Sequence, residues 1–176
     1  MIIFRHGSEY SASDRPYQLE FYEENGSMSF AEWLNGLTKT EPAKYDAIGY
    51  GLQEILAMQS INVCNSDFGV NLGDGLYEFR LRHDHSQLIS RVQPHLKGTI
   101  SNGPEVNVLV QVFFAAYGNK IILLLHGYDK GRDSSERRKR KEINEARKRL
   151  AKHPLTKSAS LPLRVQALDW IRRKNW

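Results

Sequence analysis

The order of elements readable in this chain predicts an α+β fold: one strand, two helices, at least three further strands, then a long helix. Three patterns carry that prediction. Apolar and polar residues alternate over Tyr17 to Tyr22 and again over Leu76 to Arg82, the two-residue period of a strand with one buried face. Tyr45, Ile48, Leu52, Ile55 and Leu56 recur at the spacing of a helix that faces a core. Two runs dense in Val, Ile, Leu and Phe, Val106 to Tyr117 and Lys120 to Tyr128, are joined by Gly118-Asn119. That is the chemistry of a hairpin between two central, buried strands.

Residues 1–16 are polar and irregular and read as an N-terminal extension to a domain over 17–153. Asn25-Gly26 marks a turn after the first strand. Ser29 and Glu32 have capping-box spacing, in which hydroxyl and carboxylate each satisfy a free backbone N–H. The helix that follows would bury Phe30, Trp33, Leu34 and Leu37. A second helix is expected after Thr40, with Pro42 in its first turn, where a missing N–H costs nothing. Residues 62–71 read as a loop and Gly73-Asp74-Gly75 as a turn. In the next strand Tyr77, Phe79 and Leu81 face one side, and Leu76, Glu78, Arg80 and Arg82 the other. Residues 84–105, with Pro94, Gly98, Gly103 and Pro104, read as an insertion holding a strand and a turn, or an excursion from the sheet. Asp133 and Glu136 have the spacing to cap a helix running to about His153, whose apolar stripe is only Ile143, Ala146 and Leu150. Residues 154–176 form a C-terminal extension, with the pattern of a short helix from about Leu163 to Arg173.

With 176 residues, 40% of them hydrophobic, the chain can bury one proper core. No apolar run reaches the length that spans a bilayer; Ile121 to Leu125 is the longest candidate. Met1 to Tyr10 lacks a basic-then-apolar signal pattern, and Cys64 is alone, so a reducing, cytoplasmic setting without disulfides is expected. The net charge of +5 is unevenly spread. Residues 1–125 hold 9 Lys/Arg against 14 Asp/Glu, and residues 126–176 hold 16 against 6. Such asymmetry fits an acidic scaffold with a basic, polyanion-seeking end.

Three stretches resemble one family. They are Phe21-Tyr22-Glu23-Glu24-Asn25-Gly26 followed by Phe30-Ala31-Glu32-Trp33-Leu34; Leu72-Gly73-Asp74-Gly75-Leu76-Tyr77-Glu78-Phe79-Arg80; and Phe113 through Ile121-Ile122-Leu123-Leu124-Leu125-His126-Gly127-Tyr128 to Lys130, then Glu142-Ile143-Asn144-Glu145-Ala146. Over about residues 17–153 the chain resembles the phage-derived HigB-like branch of the RelE/ParE toxin superfamily. It departs from that pattern in about twenty extra residues between Arg82 and Val106. Gln111 stands where the family often has Arg, and a single Lys130 stands where it has a lysine pair, with Arg132 beyond.

The resemblance implies a RelE-like antiparallel sheet of about four strands, packed by two N-terminal helices and a basic C-terminal helix. It implies a toxin that cuts messenger RNA in the ribosome and is held in check by an antitoxin, expected to be of helix-turn-helix type and to form an oligomer with it. Metal-free RNA cleavage needs a base for the 2′-OH, cations for the charge that builds on the phosphorane, and an acid for the leaving oxygen. No metal and no cofactor are expected. His83-Asp84-His85 offers only two histidines without a third ligand, and His95 is no better placed. Arg80 is the first candidate for phosphate, because a guanidinium fork can grip it bidentately. Arg82, two residues on, points the same way. Lys130 and Arg132 follow the last strand, Tyr128 can stack or donate a proton, and His126 titrates near neutrality. Four of these have a structural alternative: an Arg80–Glu78 ion pair, a solvated Arg82, a core Tyr128, a sheet-bonded His126. Arg137, Arg138, Lys139, Arg140 and Lys141 would bind RNA backbone without sequence preference. Other outcomes are a ParE-like poison of DNA gyrase, or a weakened member that only binds antitoxin or nucleic acid.

Overall fold

The computed structural model of the chain describes residues 15–93, 108–118 and 120–153. It is α+β, as the element order predicts. The strands are β1 (Gln18–Phe21), β2 (Gly69–Asn71), β3 (Tyr77–Leu81), β4 (Val110–Tyr117) and β5 (Ile121–Asp129). The helices are α1 (Ser29–Thr40), α2 (Pro42–Tyr50), a single turn α3 (Ala57–Gln59), α4 (His85–Val92) and α5 (Glu136–Lys152).

The sheet runs β1-β5-β4-β3-β2, so it has five strands rather than about four. It is mixed rather than antiparallel, because β1 pairs with β5 in parallel. Parallel neighbours cannot be joined by a hairpin, and the chain returns to β1 only after passing through the rest of the fold. The extra strand, β2, falls in the expected loop at 62–71, whose start is overlapped by a 3-10 segment, Ser60–Asn65. Three residues are too few to show an alternation. β2 is instead held by its turn, where Gly73, Asp74 and Gly75 all have positive φ (82°, 54° and 76°) and fold it back on β3.

Helix starts differ in their caps. Met28 precedes α1 with no side-chain cap, and Glu32 is drawn aside by the Ser27 hydroxyl at 3.0 Å. At α5 the cap is Ser135, which accepts from the Arg138 amide at 3.2 Å, while Asp133 accepts from the Ser135 amide. A capping box does form at α4, between Asp84 and Gln87. That helix fills the first half of the expected insertion and buries Leu88 fully against the core. The rest of the insertion from 94 to 105, the first two residues of the expected strand from Val106, the hairpin residue Asn119, His95, residues 1–14 and the expected helix from about Leu163 lie outside the described residues.

The sheet has two covered faces. On one, Phe30, Leu34 and Leu37 of α1, Ile48 of α2 and the π-helical turn Gly51–Leu56 pack on Phe79, Leu81, Val110, Val112, Phe114, Ile122 and Leu124. On the other, α5 lays Ala146, with Ile143 and Leu150 beside it, on Leu76, Phe113, Ala115, Leu123, Leu125 and Tyr128. The expected sides of β3 and the expected stripe of α5 are thus observed. Among the described residues no helix is long and apolar enough to cross a membrane.

Candidate functional site

β4 and β5 pair Phe113 with His126 and Phe114 with Leu124, leaving Leu125 as the extra residue of a bulge. A bulge breaks strict alternation, so Leu125 and His126 both turn toward α5. Beyond it, Tyr128 shares their face while Gly127 and Asp129 face the other helices.

Two rows of side chains therefore cross the α5 face. In the first, Arg80 of β3 lies beside Gln111 of β4, which lies beside Tyr128 of β5. In the second, Glu78, Phe113 and His126 hold the same places. Strand spacing puts the ends of a row about 10 Å apart.

Arg80 donates from Nε to Glu78 Oε1 at 2.8 Å and from Nη2 to Oε2 at 3.4 Å. The Glu78 side chain is fully buried and that of Arg80 is 21% exposed. A carboxylate this deep needs its counter-ion, so Arg80 is anchored from behind and keeps an edge at the surface. Tyr128 donates its hydroxyl to Gln111 Oε1. Burial first, then the charges of Glu78 and Glu142, push its phenol up to about 12, so it is a hydrogen-bond donor at neutral pH and not a base. His126 Nε2 meets Glu142 Oε2, and Arg149 Nη1 lies 3.4 Å from its Nδ1. Burial lowers the imidazole below the ordinary histidine range, against the pull of Glu142. Phe113 stacks between the rings of His126 and Tyr128, 6.4 and 6.2 Å away.

Other candidates lie apart from this row. Lys130 is the first residue past β5, half-buried, its amide donating to Leu109 O at 2.7 Å. Arg132 is 67% exposed and turned to Glu41 at 2.5 Å and Asp129 at 3.5 Å. That pairing draws it to the α1–α2 side, since Asp129 faces Lys44 there. Arg82 is exposed, beyond the last paired residue of β3. His83 faces Gln87 and Asp84 caps α4, and among the described residues no group of three His, Cys, Asp or Glu could hold a metal ion.

The cations of α5 divide by direction. Arg137, Arg140, Lys141 and Lys148 line one open groove with Asn144, Glu136 and Glu145. Arg138 is paired with Glu142 and lies with its guanidinium 5.9 Å over the Tyr128 ring. Arg147 reaches Asp74 at 3.0 Å and Leu72 O at 2.8 Å, and Arg149 reaches Leu125 O at 2.9 Å. Sequence reasoning passed over Gln111 as a partner and Glu142 as a hub. The spacing Arg138, Glu142, Ala146 was the available signal, since steps of four mark one helix face.

Compared with family models, with curated proteins and with solved structures, the chain matches none. Its class rests on its own geometry: an α+β domain whose mixed sheet carries a cation-bearing face beneath a basic helix.

Proposed function

We propose that the chain is an RNA-cutting toxin of the RelE/HigB type, acting on messenger RNA at the ribosome in the cytoplasm and restrained by an antitoxin. The supporting observation is the row Arg80–Gln111–Tyr128 on the face that α5 covers. Arg80 would meet the scissile phosphate with its exposed edge, Tyr128 would hold Gln111 in the row through the hydrogen bond its hydroxyl donates, and Lys130, apart from the row and past the strand end, would add charge only at longer range. His126 is held by Glu142 and is read as part of the scaffold. The groove of Arg137, Arg140, Lys141 and Lys148 spans about 16 Å of helix, suiting it to grip RNA backbone without reading sequence. No metal or cofactor enters this scheme.

The test is to express the chain in a bacterium and map messenger RNA ends against reading frame. Simple truncation of Arg80 would strand the buried Glu78 carboxylate, so the variant to use is Arg80→Met with Glu78→Gln. Wild type is expected to arrest growth and produce in-frame ends, and the variant to lose about a hundredfold in cleavage. Growth arrest without new RNA ends, but with lost supercoiling activity of gyrase, would overturn the nuclease in favour of a gyrase poison. No arrest at all would leave a binding protein only.

A further inference from the structure

We infer that Arg138 is a second phosphate-gripping guanidinium of the sheet site, distinct in role from its neighbours in the cationic run. The inference deepens the proposed function and rests on it for the location of the RNA strand.

Three observations carry it. Arg138 leaves the outer groove, which takes Arg137, Arg140 and Lys141, and places its guanidinium 5.9 Å over Tyr128, at one end of the row that Arg80 begins. It is held there by Glu142, whose other oxygen meets His126 of the sheet. That double contact fixes the helix to the strand and makes Glu142 a positioning residue. Finally, the Arg138 side chain is 42% exposed, so it can take an anion from the solvent side while its carboxylate stands behind it. Arg80 is built the same way, with Glu78 behind and an exposed edge in front. Two pre-oriented forks at opposite ends of a row about 10 Å long form a site for successive phosphates of a single RNA strand. The resident carboxylates keep both guanidinium groups oriented and reduce the ordering lost on binding.

The experiment is a double-mutant cycle in the full chain with Arg80→Lys and Arg138→Lys. Lysine keeps the charge and the ion pairs, so the fold is retained, but it removes the fork. The probe is a fluorescein-labelled single-stranded RNA of about twelve nucleotides. Each variant is expected to weaken binding about threefold to tenfold, and the pair to be non-additive by about threefold or more. Arg137→Lys combined with Arg80→Lys is expected to be additive. If Arg138→Lys leaves affinity unchanged, or adds to Arg80→Lys without coupling, Arg138 belongs to the outer run and the inference is overturned. Ribosome-dependent cleavage is scored separately: coupling without cleavage by wild type removes the nuclease and keeps the phosphate site, whereas cleavage without coupling removes only the role of Arg138.

Discussion

Replacing Lys44 by Met tests the joint that holds the end of β5 against the helices. Lys44 stands in the first turn of α2, only 6% exposed, with Nζ 2.6 Å from Asp129 Oδ2 and a second ion pair to Glu41. Asp129 also accepts from the Gly131 amide at 2.8 Å, so the same carboxylate shapes the turn that carries Lys130. Burial alone would lower the lysine, but the two carboxylates outweigh it and hold it above its ordinary range. Removing the ammonium leaves Asp129, itself 9% exposed, facing Glu41 with only the exposed Arg132 as compensation. Breaking a buried pair costs about 3–5 kcal/mol. Arg132 can follow Asp129, so the lower end applies, about 3 kcal/mol, or roughly 6–12 °C in Tm for a domain of this size. Urea unfolding followed by tryptophan fluorescence measures it. Adding Asp129→Asn to Lys44→Met is expected to recover half the loss or more, because the orphaned charge is gone. A cost below about 1 kcal/mol, or a double variant no more stable than the single, would show that Lys44 contributes through its aliphatic stem and refute the ionic account.

Two further outcomes follow from the same geometry. A Cβ on Gly127 would sit 2.3 Å from a ring carbon of Phe30, so Gly127→Ala is expected to cost roughly 1–3 kcal/mol in thermal unfolding, with partial rescue by Phe30→Leu; equal losses with and without that rescue would place the damage elsewhere. His126 is lowered mainly by burial, and His153 shifts the same way. The unfolded chain therefore binds the extra proton first, so their stabilisation is full above about pH 6.5 and is lost as pH falls through the folded values. His126→Gln is expected to flatten part of that loss, above the lower window in which Glu24, Glu41 and Asp133 lose theirs.

Much of the fold was legible because hydrophobic period and burial coincide. The alternation of Tyr77, Phe79 and Leu81 against Glu78 and Arg80 gives the sides of β3 that the structure shows, and Ile48, Leu52, Ile55 and Leu56 are all buried. Three things were not legible. The three-residue β2 is too short to carry a period, and its pairing comes from a turn of positive-φ residues. Neighbouring side chains enter into a cap: Ser27 takes Glu32 from the apparent box at Ser29, whereas Gln87 closes the box with Asp84 while His83 meets the same Gln87 oxygen. The bulge at Leu125 depends on register, which no local pattern encodes, yet it is what turns His126 onto the α5 face. For the site, the sequence placed Arg80 and Tyr128 on their strands but could not show that they share a row, nor that Arg132 is drawn to Glu41.

The helix α5 shows why a charge run resists interpretation as a run. Seventeen residues with a strongly basic composition carry one buried alanine and one buried glutamate. Hydrophobic burial over so narrow a stripe is small, so side-chain ties supplement it. Arg149 reaches Leu125 O, Arg147 reaches Leu72 O and Asp74, and Lys152 reaches Glu24 at 2.7 Å. Glu142 binds both the sheet histidine and Arg138. Cations on the inner side thus serve as struts, and those on the outer side remain free to meet a polyanion. A substitution on the inner side should therefore show in unfolding as well as in binding, and one on the outer side in binding alone, with a dependence on salt. Arg138 sits at the boundary between the two sets, tied to Glu142 yet partly exposed above Tyr128, which is why a charge-preserving lysine rather than a neutral residue is the substitution that can separate its two roles.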